Sequence, residues 1–356
     1  MKKILIINTV GYNYDGITSV ILNYLNNMDR SGLSFVFPIF PDTPRALTES
    51  LSRLGAVETV PHRKHDTKGY CIALHRLLKN HFDVIHIHGN SGTMLIETVL
   101  AKVHKVLNII VHAHNSRTEH PFLNMVLKWP MMRIANKTIA CSDLAGKWLY
   151  GKHEYIILNN AVDSREFCFC QEMRQKHRTE LGVGSEFLIG HVGHFSEQKN
   201  HIFLVDVFKE LRSLIPDAKL LLISDGPLFH EIQKKTIQLG LTDAVIFAGR
   251  RTDVAYLYSA MDFLVLPSRW EGLPLTMVEA QINGLAMLVS DVITRDAAFT
   301  TEVYYKSLDD GPKSWAAEIF RIYNCKQQRI SAVEQAINAG FDISEEAEIL
   351  RSIYFS

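Results

Sequence analysis

The sequence predicts an α/β protein of two doubly wound, Rossmann-like domains in tandem, on three observations. Short, continuously apolar runs alternate with longer helical patterns, the alternation breaks once over residues 164–185, and it then restarts. Strands that are apolar along their whole length and separated by helices belong to a parallel sheet covered on both faces.

In chain order, "KILIIN" (3–8), "SFVFPIF" (34–40), "DVIHIH" (83–88), "NIIVHAH" (108–114), "KTIAC" (137–141) and "EYIIL" (154–158) read as strands. Helical patterns fill most gaps between them, for example 17–28, 69–80 and 92–104. Residues 164–185 are polar and charged, end in "LGVGSE", and read as a connector with a short helix. The second series of strands is "FLIGHVG" (187–193), "KLLLIS" (219–224), "AVIFAG" (244–249), "DFLVLPS" (262–268) and "LAMLVSD" (285–291). The expected bounds are 1–165 for the first domain, 166–185 for a linker and 186–340 for the second domain. Ligands of such sheets collect beyond the carboxyl ends of the strands, here in the cleft between the domains.

The bulk properties narrow the function. A chain of 356 residues is long enough for two domains with separate cores. Lys+Arg and Asp+Glu are both 38, so no global basic field points to nucleic acid. Five scattered cysteines (Cys71, Cys141, Cys168, Cys170 and Cys325) fit neither a zinc site nor a disulfide framework, and are expected as thiols of a cytoplasmic protein. The opening "MKKILIINTV" lacks a small-residue cleavage site and reads as a buried first strand rather than a signal peptide. No stretch approaches the roughly 20 apolar residues that span a bilayer, so no crossing is expected.

The chemistry concentrates at strand–loop–helix junctions. In "DFLVLPSRWEGLPLTMVEAQING" (262–284), Pro267 helps to end a strand, Gly272 permits a turn, and Pro274 suits the first turn of a helix. Glu271 then lies on the loop and Glu279 one to two turns inside the helix. Both flank a helix N-terminus whose unpaired N–H groups favour an anion. "GHVGHFSEQKN" (190–200) is a second junction, with Gly190 and Gly193 for close backbone approach and Lys199 as a cation. "ISDGPL" (223–228) is a third. In the first domain, Gly11 and Gly16 follow strand one without a G-x-G-x-x-G fingerprint, so a nicotinamide cofactor is not supported.

These motifs, with "FAGRRTDVAYLYSAMDFLVLPSRWEGLPLTMVEAQINGLAMLVSD" and "ILNNAVDSREF", make the chain resemble retaining GT-B glycosyltransferases of glycosyltransferase family 4, in wording similar to capsular and exopolysaccharide enzymes. The likeness is strongest over 187–295. The family's two glutamates separated by seven residues are present as Glu271 and Glu279.

The resemblance implies a nucleotide-diphosphate sugar as donor, UDP being favoured, and a growing polysaccharide or lipid-linked acceptor. Retained anomeric configuration and a metal-independent, cofactor-free reaction are implied with it. The second domain then holds the nucleotide sugar and the first the acceptor, while residues 341–356 pack back on the first. Glu279 would accept the ribose hydroxyls, Glu271 would hold the donor sugar, and Leu275 and Thr276 would offer N–H groups to the diphosphate. Lys199 would neutralise the departing phosphate, Arg251 (or Arg250) would lie near the base, and Gly16 would let the first-domain loop approach the diphosphate. His194 stands where the family usually has arginine, so the donor site is expected to be short of one positive charge. Ala161 in "NNAVD" replaces a common glycine.

His86, His88, His112 and His114 fall in pairs on one face of their strands. Zinc is one reading; hydrogen-bonded strand-end histidines, with no metal, are the expected one. By the resemblance, His114 bonds the donor sugar and His88 shapes the acceptor floor. The absence of Asp-x-Asp agrees with a reaction that needs no metal. Residues 120–137, "HPFLNMVLKWPMMRIANK", read as an amphipathic helix over the sheet, or more sharply as a peripheral surface for the inner face of the membrane. Two alternatives stay open: a nucleotide-sugar epimerase of the same architecture, and a non-catalytic nucleotide-binding partner subunit.

Overall fold

The computed structural model describes residues 1–118, 121–325 and 328–356. The chain divides into two compact units, Met1–Ala161 with Asp342–Ser356, and Val162–Phe341. Each is an α/β unit on a parallel sheet, seven strands in the first and six in the second.

In unit 1 the elements are β1 (Lys2–Asn8), α1 (Gly16–Asn27), β2 (Leu33–Ile39), α2 (Arg45–Leu54), β3 (Ala56–Thr59), α3 (Thr67–Leu78) and β4 (Val84–Gly89). They continue as α4 (Leu95–Val103), β5 (Asn108–Ala113), α5 (Pro121–Ile134), β6 (Lys137–Ala140), α6 (Asp143–Tyr150) and β7 (Ile156–Ile157). The sheet order is β3-β2-β1-β4-β5-β6-β7. β1, β4 and β5 lie at its centre and are almost wholly buried, which is why they read as unbroken apolar runs. Side chains cap the helices where the sequence allows: Asp15 accepts from the Thr18 N–H at the start of α1, and Ser142 from the Ala145 N–H at α6. The helix expected over 92–104 begins as a single 3-10 turn at Gly92–Met94 before α4.

Unit 2 comprises α7 (Gln171–Glu180), β8 (Leu188–Val192), α8 (His201–Arg212), β9 (Lys219–Ile223), α9 (Phe229–Gln238), β10 (Val245–Gly249) and α10 (Val254–Ala260). β11 (Phe263–Leu266), α11 (Leu275–Ile282), β12 (Met287–Ser290), β13 (Val303–Lys306), α12 (Gly311–Asn324) and α13 (Val333–Asn338) complete it. Its order, β10-β9-β8-β11-β12-β13, is the doubly wound 3-2-1-4-5-6 arrangement. The strand order reverses between β8 and β11, which pair through Phe263–Ile189 and Leu264–Gly190.

Residues 166–185, expected to link the domains, fold inside unit 2. Arg174 and Arg178 of α7 both bind Asp262, at 2.5 and 3.0 Å, and Asp262 also accepts the Leu188 N–H. One carboxylate thereby ties α7 to the starts of β8 and β11. The last helix, α14 (Ile343–Phe355), belongs to unit 1 and packs on α1. Its final carbonyls are met by lysines: Lys2 Nζ donates to Tyr354 O and Phe355 O, and Lys137 Nζ to Ile353 O.

α5 is not an ordinary covering helix. Asn124, Met131 and Met132 are buried, whereas Phe122, Leu123, Met125, Val126 and Trp129 are exposed. Pro130 lies inside the helix, which continues to Ile134. His120, the first residue of the segment singled out in the sequence, lies outside the described residues. Among the described residues, no helix is long and apolar enough to cross a membrane.

Candidate functional site

The junctions after β8 and β11 meet at the reversal point of unit 2. Lys199 Nζ lies 2.7 Å from Glu271 Oε1, and Gln198 Nε2 donates to Glu271 Oε2 at 3.0 Å. The Arg269 N–H bonds the Gln198 carbonyl at 2.8 Å, which joins the two loops through the backbone as well. Lys199 and Glu271 are largely buried, so solvent screens their attraction little. Asn200 adopts the left-handed conformation at the start of α8 (φ 57°), turning the chain sharply after Lys199.

Glu279 lies just over one turn into α11, as the placement of Pro274 immediately before Leu275 requires. Tyr258 donates its hydroxyl to Glu279 Oε2 at 2.6 Å. Burial raises the Glu279 carboxyl to about 7; the Tyr258 bond opposes the shift, Glu166 adds to it and Lys199 opposes it. Leu275 and Thr276 occupy the first two positions of α11, whose N–H groups precede any intrahelical acceptor. The Thr276 hydroxyl reaches the Val192 carbonyl at the end of β8 (3.4 Å), so the helix start sits against the same strand end as the Lys199 loop.

A second group of charges borders this one. Asp225, after β9, takes Arg250 Nε at 2.7 Å, and His194 Nδ1 lies 4.0 Å from the same oxygen. The arginine shortage expected at His194 is thus set beside a cation from the end of β10. Arg251, expected near a base, holds Asp253 through two bonds of 2.7 and 2.6 Å. Gly226 (φ 156°) has no room for a side chain, since a Cβ would come 2.6 Å from the Phe195 backbone. That approach is sealed by the Phe195 N–H to Asp225 O and the Leu228 N–H to Phe195 O. Gly190 serves packing rather than a ligand: a Cβ there would meet Met261 Sδ at 2.0 Å.

Sequence reasoning named Lys199, Glu271, Glu279, Leu275 and Thr276, and the structure brings them to one strand reversal. It missed Gln198 and Tyr258. Gln198 adjoins Lys199 and was legible as a neighbour; Tyr258 lies in a different helix and has no spacing that ties it to Glu279.

In unit 1, Gly16 opens α1 with no atom within 4 Å of a Cβ built on it. His88 pairs with His112 in register across β4 and β5. His88 Nδ1 lies 2.8 Å from His114 Nε2, and His86 Nδ1 lies 2.8 Å from the Tyr354 hydroxyl. The expectation of hydrogen-bonded histidines holds only in part: neither nitrogen of His112 has a partner, nor does His86 Nε2. Burial holds all four far below the ordinary imidazole range, aided by neighbouring rings at His86, His88 and His112, with His86 and His114 at about 3. All four are neutral near pH 7.

With this geometry in view, the comparisons with known proteins are specific. Residues 173–338 match the family described as glycosyl transferases group 1. The putative glycosyltransferase EpsF of Bacillus subtilis is 28% identical over 363 residues, covering 97% of this chain and 94% of that protein. The UDP-Gal:alpha-D-GlcNAc-diphosphoundecaprenol alpha-1,3-galactosyltransferase of Escherichia coli is 27% identical over 62% of this chain and 61% of its own length. Among solved structures, Anabaena Alr3699/HepE in complex with UDP and glucose aligns over 100% of both chains with a TM-score of 0.80 at 18% identity. A glycosyltransferase from Rickettsia africae aligns over 99% of this chain and 97% of its own, with a TM-score of 0.79 at 15% identity. The fold is GT-B.

Proposed function

From a chain that carries a group 1 glycosyltransferase domain and is a glycosyltransferase, we propose that it transfers a hexosyl residue from a UDP-sugar to a growing cell-surface polysaccharide or a lipid-linked acceptor. The reading adds retention of configuration, membership of glycosyltransferase family 4, and a diphosphate held without a metal. The observation that carries it is the convergence of Lys199, Glu271 and the start of α11 at the strand reversal of unit 2, with Glu279 one turn deeper. A cation, a run of unpaired N–H groups and two carboxylates at different depths match, in order, a phosphate, a diphosphate, a sugar and a ribose.

In this reading Glu279 accepts the ribose hydroxyls, Leu275 and Thr276 donate to the diphosphate, and Arg251 approaches the base after parting from Asp253. Glu271 holds the sugar hydroxyls and keeps Lys199 in place; donor binding shares the Lys199 ammonium between Glu271 and phosphate. The bond between the anomeric carbon and the leaving phosphate oxygen breaks while the acceptor oxygen bonds to that carbon on the same face. The acceptor proton passes to the leaving phosphate, and Lys199 stabilises the charge that develops there. Arg250, beside His194, supplies the flanking positive charge. On unit 1, a bond from His114 to the donor sugar and room for the diphosphate loop at Gly16 belong to the same proposal and rest on the family resemblance.

The exposed apolar face of α5, with Lys128 and Arg133, supports peripheral contact of a cytoplasmic enzyme with the inner face of the membrane, where a lipid-linked acceptor would reside. Flotation with anionic vesicles tests this. Loss of association in the Trp129→Glu variant is expected, and no association of the unaltered chain removes the idea.

The central test is a melting-temperature screen with UDP, other nucleoside diphosphates and UDP-sugars, followed by product analysis with lipid-linked acceptors. A ligand bound only by the native state raises the transition. UDP and one UDP-sugar should do so, with sugar transfer in the presence of acceptor. Conversion of the UDP-sugar without acceptor would instead identify an epimerase, and binding without any turnover a partner subunit.

A further inference from the structure

The histidines of unit 1 have an arrangement that glycosyl transfer does not require. We propose that His86, His88 and His112 bind one divalent transition-metal ion of the zinc type. His86 and His88 are two apart on β4, so both rings stand on one face of the sheet, and β5 places His112 directly opposite His88. One ring nitrogen from each lies within 4.8 Å of the other two, and all three residues are buried. No other group of three or more potential ligands of this kind occurs among the described residues.

The unpartnered nitrogens are the second observation. His86 Nε2 and both nitrogens of His112 are buried with no hydrogen-bond partner, and a buried polar group left so carries an uncompensated desolvation cost. A bound ion removes that cost for the nitrogens that ligate it. The remaining contacts have the form of outer ligand support, because a ligating imidazole is oriented by a bond from its other nitrogen. His86 Nδ1 is held by the Tyr354 hydroxyl and His88 Nδ1 by His114 Nε2.

Ligand chemistry sets the metal. Three imidazoles with no carboxylate exclude calcium and magnesium, which take oxygen ligands, and suit zinc and its neighbours. Bonds of about 2.0–2.1 Å in a tetrahedral site put the nitrogens about 3.4 Å apart, so the rings close by up to roughly 1.4 Å on binding. A cavity of about 10 Å³ lined by His88, His112, Tyr24 and Tyr354 adjoins the cluster. It has room for about one water, which supplies the fourth ligand. His114, the outer partner of His88, is shared with the proposed donor site, but the three ligands and the test involve none of the residues of unit 2 proposed to bind UDP.

The test uses the full chain, stripped with chelator, loaded with Zn(II) or Co(II) and passed through gel filtration. Elemental analysis should find one equivalent retained, and Co(II) should give the visible spectrum of a tetrahedral site that Zn(II) displaces. His112→Leu should reduce retention to background while its melting temperature still rises with UDP. Tyr354→Phe should weaken binding by about 10–100-fold, as loss of an outer partner does. No stoichiometric retention by the unaltered chain, or equal retention by His112→Leu, overturns the proposal and assigns the cavity to water. Should His112→Leu fail to fold, X-ray absorption of the Co(II) protein decides: three nitrogen ligands of imidazole type support the site, and fewer than three overturn it.

Discussion

The two sheets end differently. At the carboxyl ends of β8 and β11 the side chains are charged and opposite in sign, Lys199 against Glu271 at 2.7 Å, with Glu279 held by Tyr258. At the carboxyl ends of β4 and β5 they are four neutral imidazoles in contact with one another, with ring centroids 4.0 Å apart for His86 and His88 and 4.1 Å for His112 and His114. The same strand–loop–helix geometry therefore presents a charge field in one unit and uncharged lone pairs in the other. Charges survive burial only in pairs or around an ionic ligand. Imidazole instead discards its proton and stays. The first arrangement suits a diphosphate and a reaction that moves charge; the second suits hydrogen bonding or a metal.

The largest effect that would sharpen this contrast is at Glu271. Glu271→Gln removes the charge that holds Lys199, and turnover should fall by about 100-fold or more, the scale of a lost electrostatic contact at a reacting centre. UDP affinity, measured by calorimetry, should change by less than about threefold, since the proposed ribose acceptor, Glu279, is untouched. Equal losses in both would merge the two carboxylates into one role. Glu279→Gln should do the reverse: UDP should bind about tenfold or more weakly, as when a charged acceptor is lost, with a smaller change in the rate at saturating donor.

The next effect is on pH. Burial raises Glu279 from 4.5 to about 7, so folding favours its protonated form. That contribution to stability is complete below 4.5 and is lost as pH rises to about 7. On the proposed role of Glu279, donor binding has the opposite sign, because ribose hydroxyls would need the ionised carboxylate as acceptor. UDP should therefore bind up to about tenfold more tightly at pH 8 than at pH 6. The phosphate of UDP titrates as well, so the decisive comparison is with Glu279→Gln, in which the Glu279 component should vanish. An unchanged pH profile in that variant would show that the carboxyl is not the group concerned.

The smallest effect concerns the cation beside Asp225. His194→Arg should raise turnover by a few-fold, since one exposed charge near a phosphate contributes about 1 kcal/mol or less. Arg250→Ala should lower turnover more in the unaltered chain than in His194→Arg, which rate measurements on all four forms would establish. Additive effects would mean that the two positions do not share a task.

The fold was legible to the extent that strands were apolar on both faces. β1, β4, β8, β9 and β11 stand close to where their apolar runs put them, since each is central and buried. β3 (Ala56–Thr59) and β13 (Val303–Lys306) gave no such signal: both are edge strands, largely exposed or half-buried, with mixed composition. The polar segment 166–185 read as a linker because, apart from Val183, what it buries is polar or charged, His177 and Arg178. Only the position of Asp262, some eighty residues on, makes Arg174 and Arg178 structural. The site divides the same way. Glu271, Glu279 and Pro274 lie in one short stretch whose local geometry is set by proline and helix rise, so their relative depth could be read directly.

By itself the sequence determined two parallel-sheet units, the junctions that carry the chemistry, and the division between a loop glutamate and a helix glutamate. These follow from local rules of period, turn and helix start. Tertiary structure alone decided that Lys199 meets Glu271, that Tyr258 meets Glu279, that Arg250 stands beside His194, and that His112 faces His88 without a partner. Each of those pairs joins different strands or helices, and strand order, which no local pattern encodes, sets the distance between them.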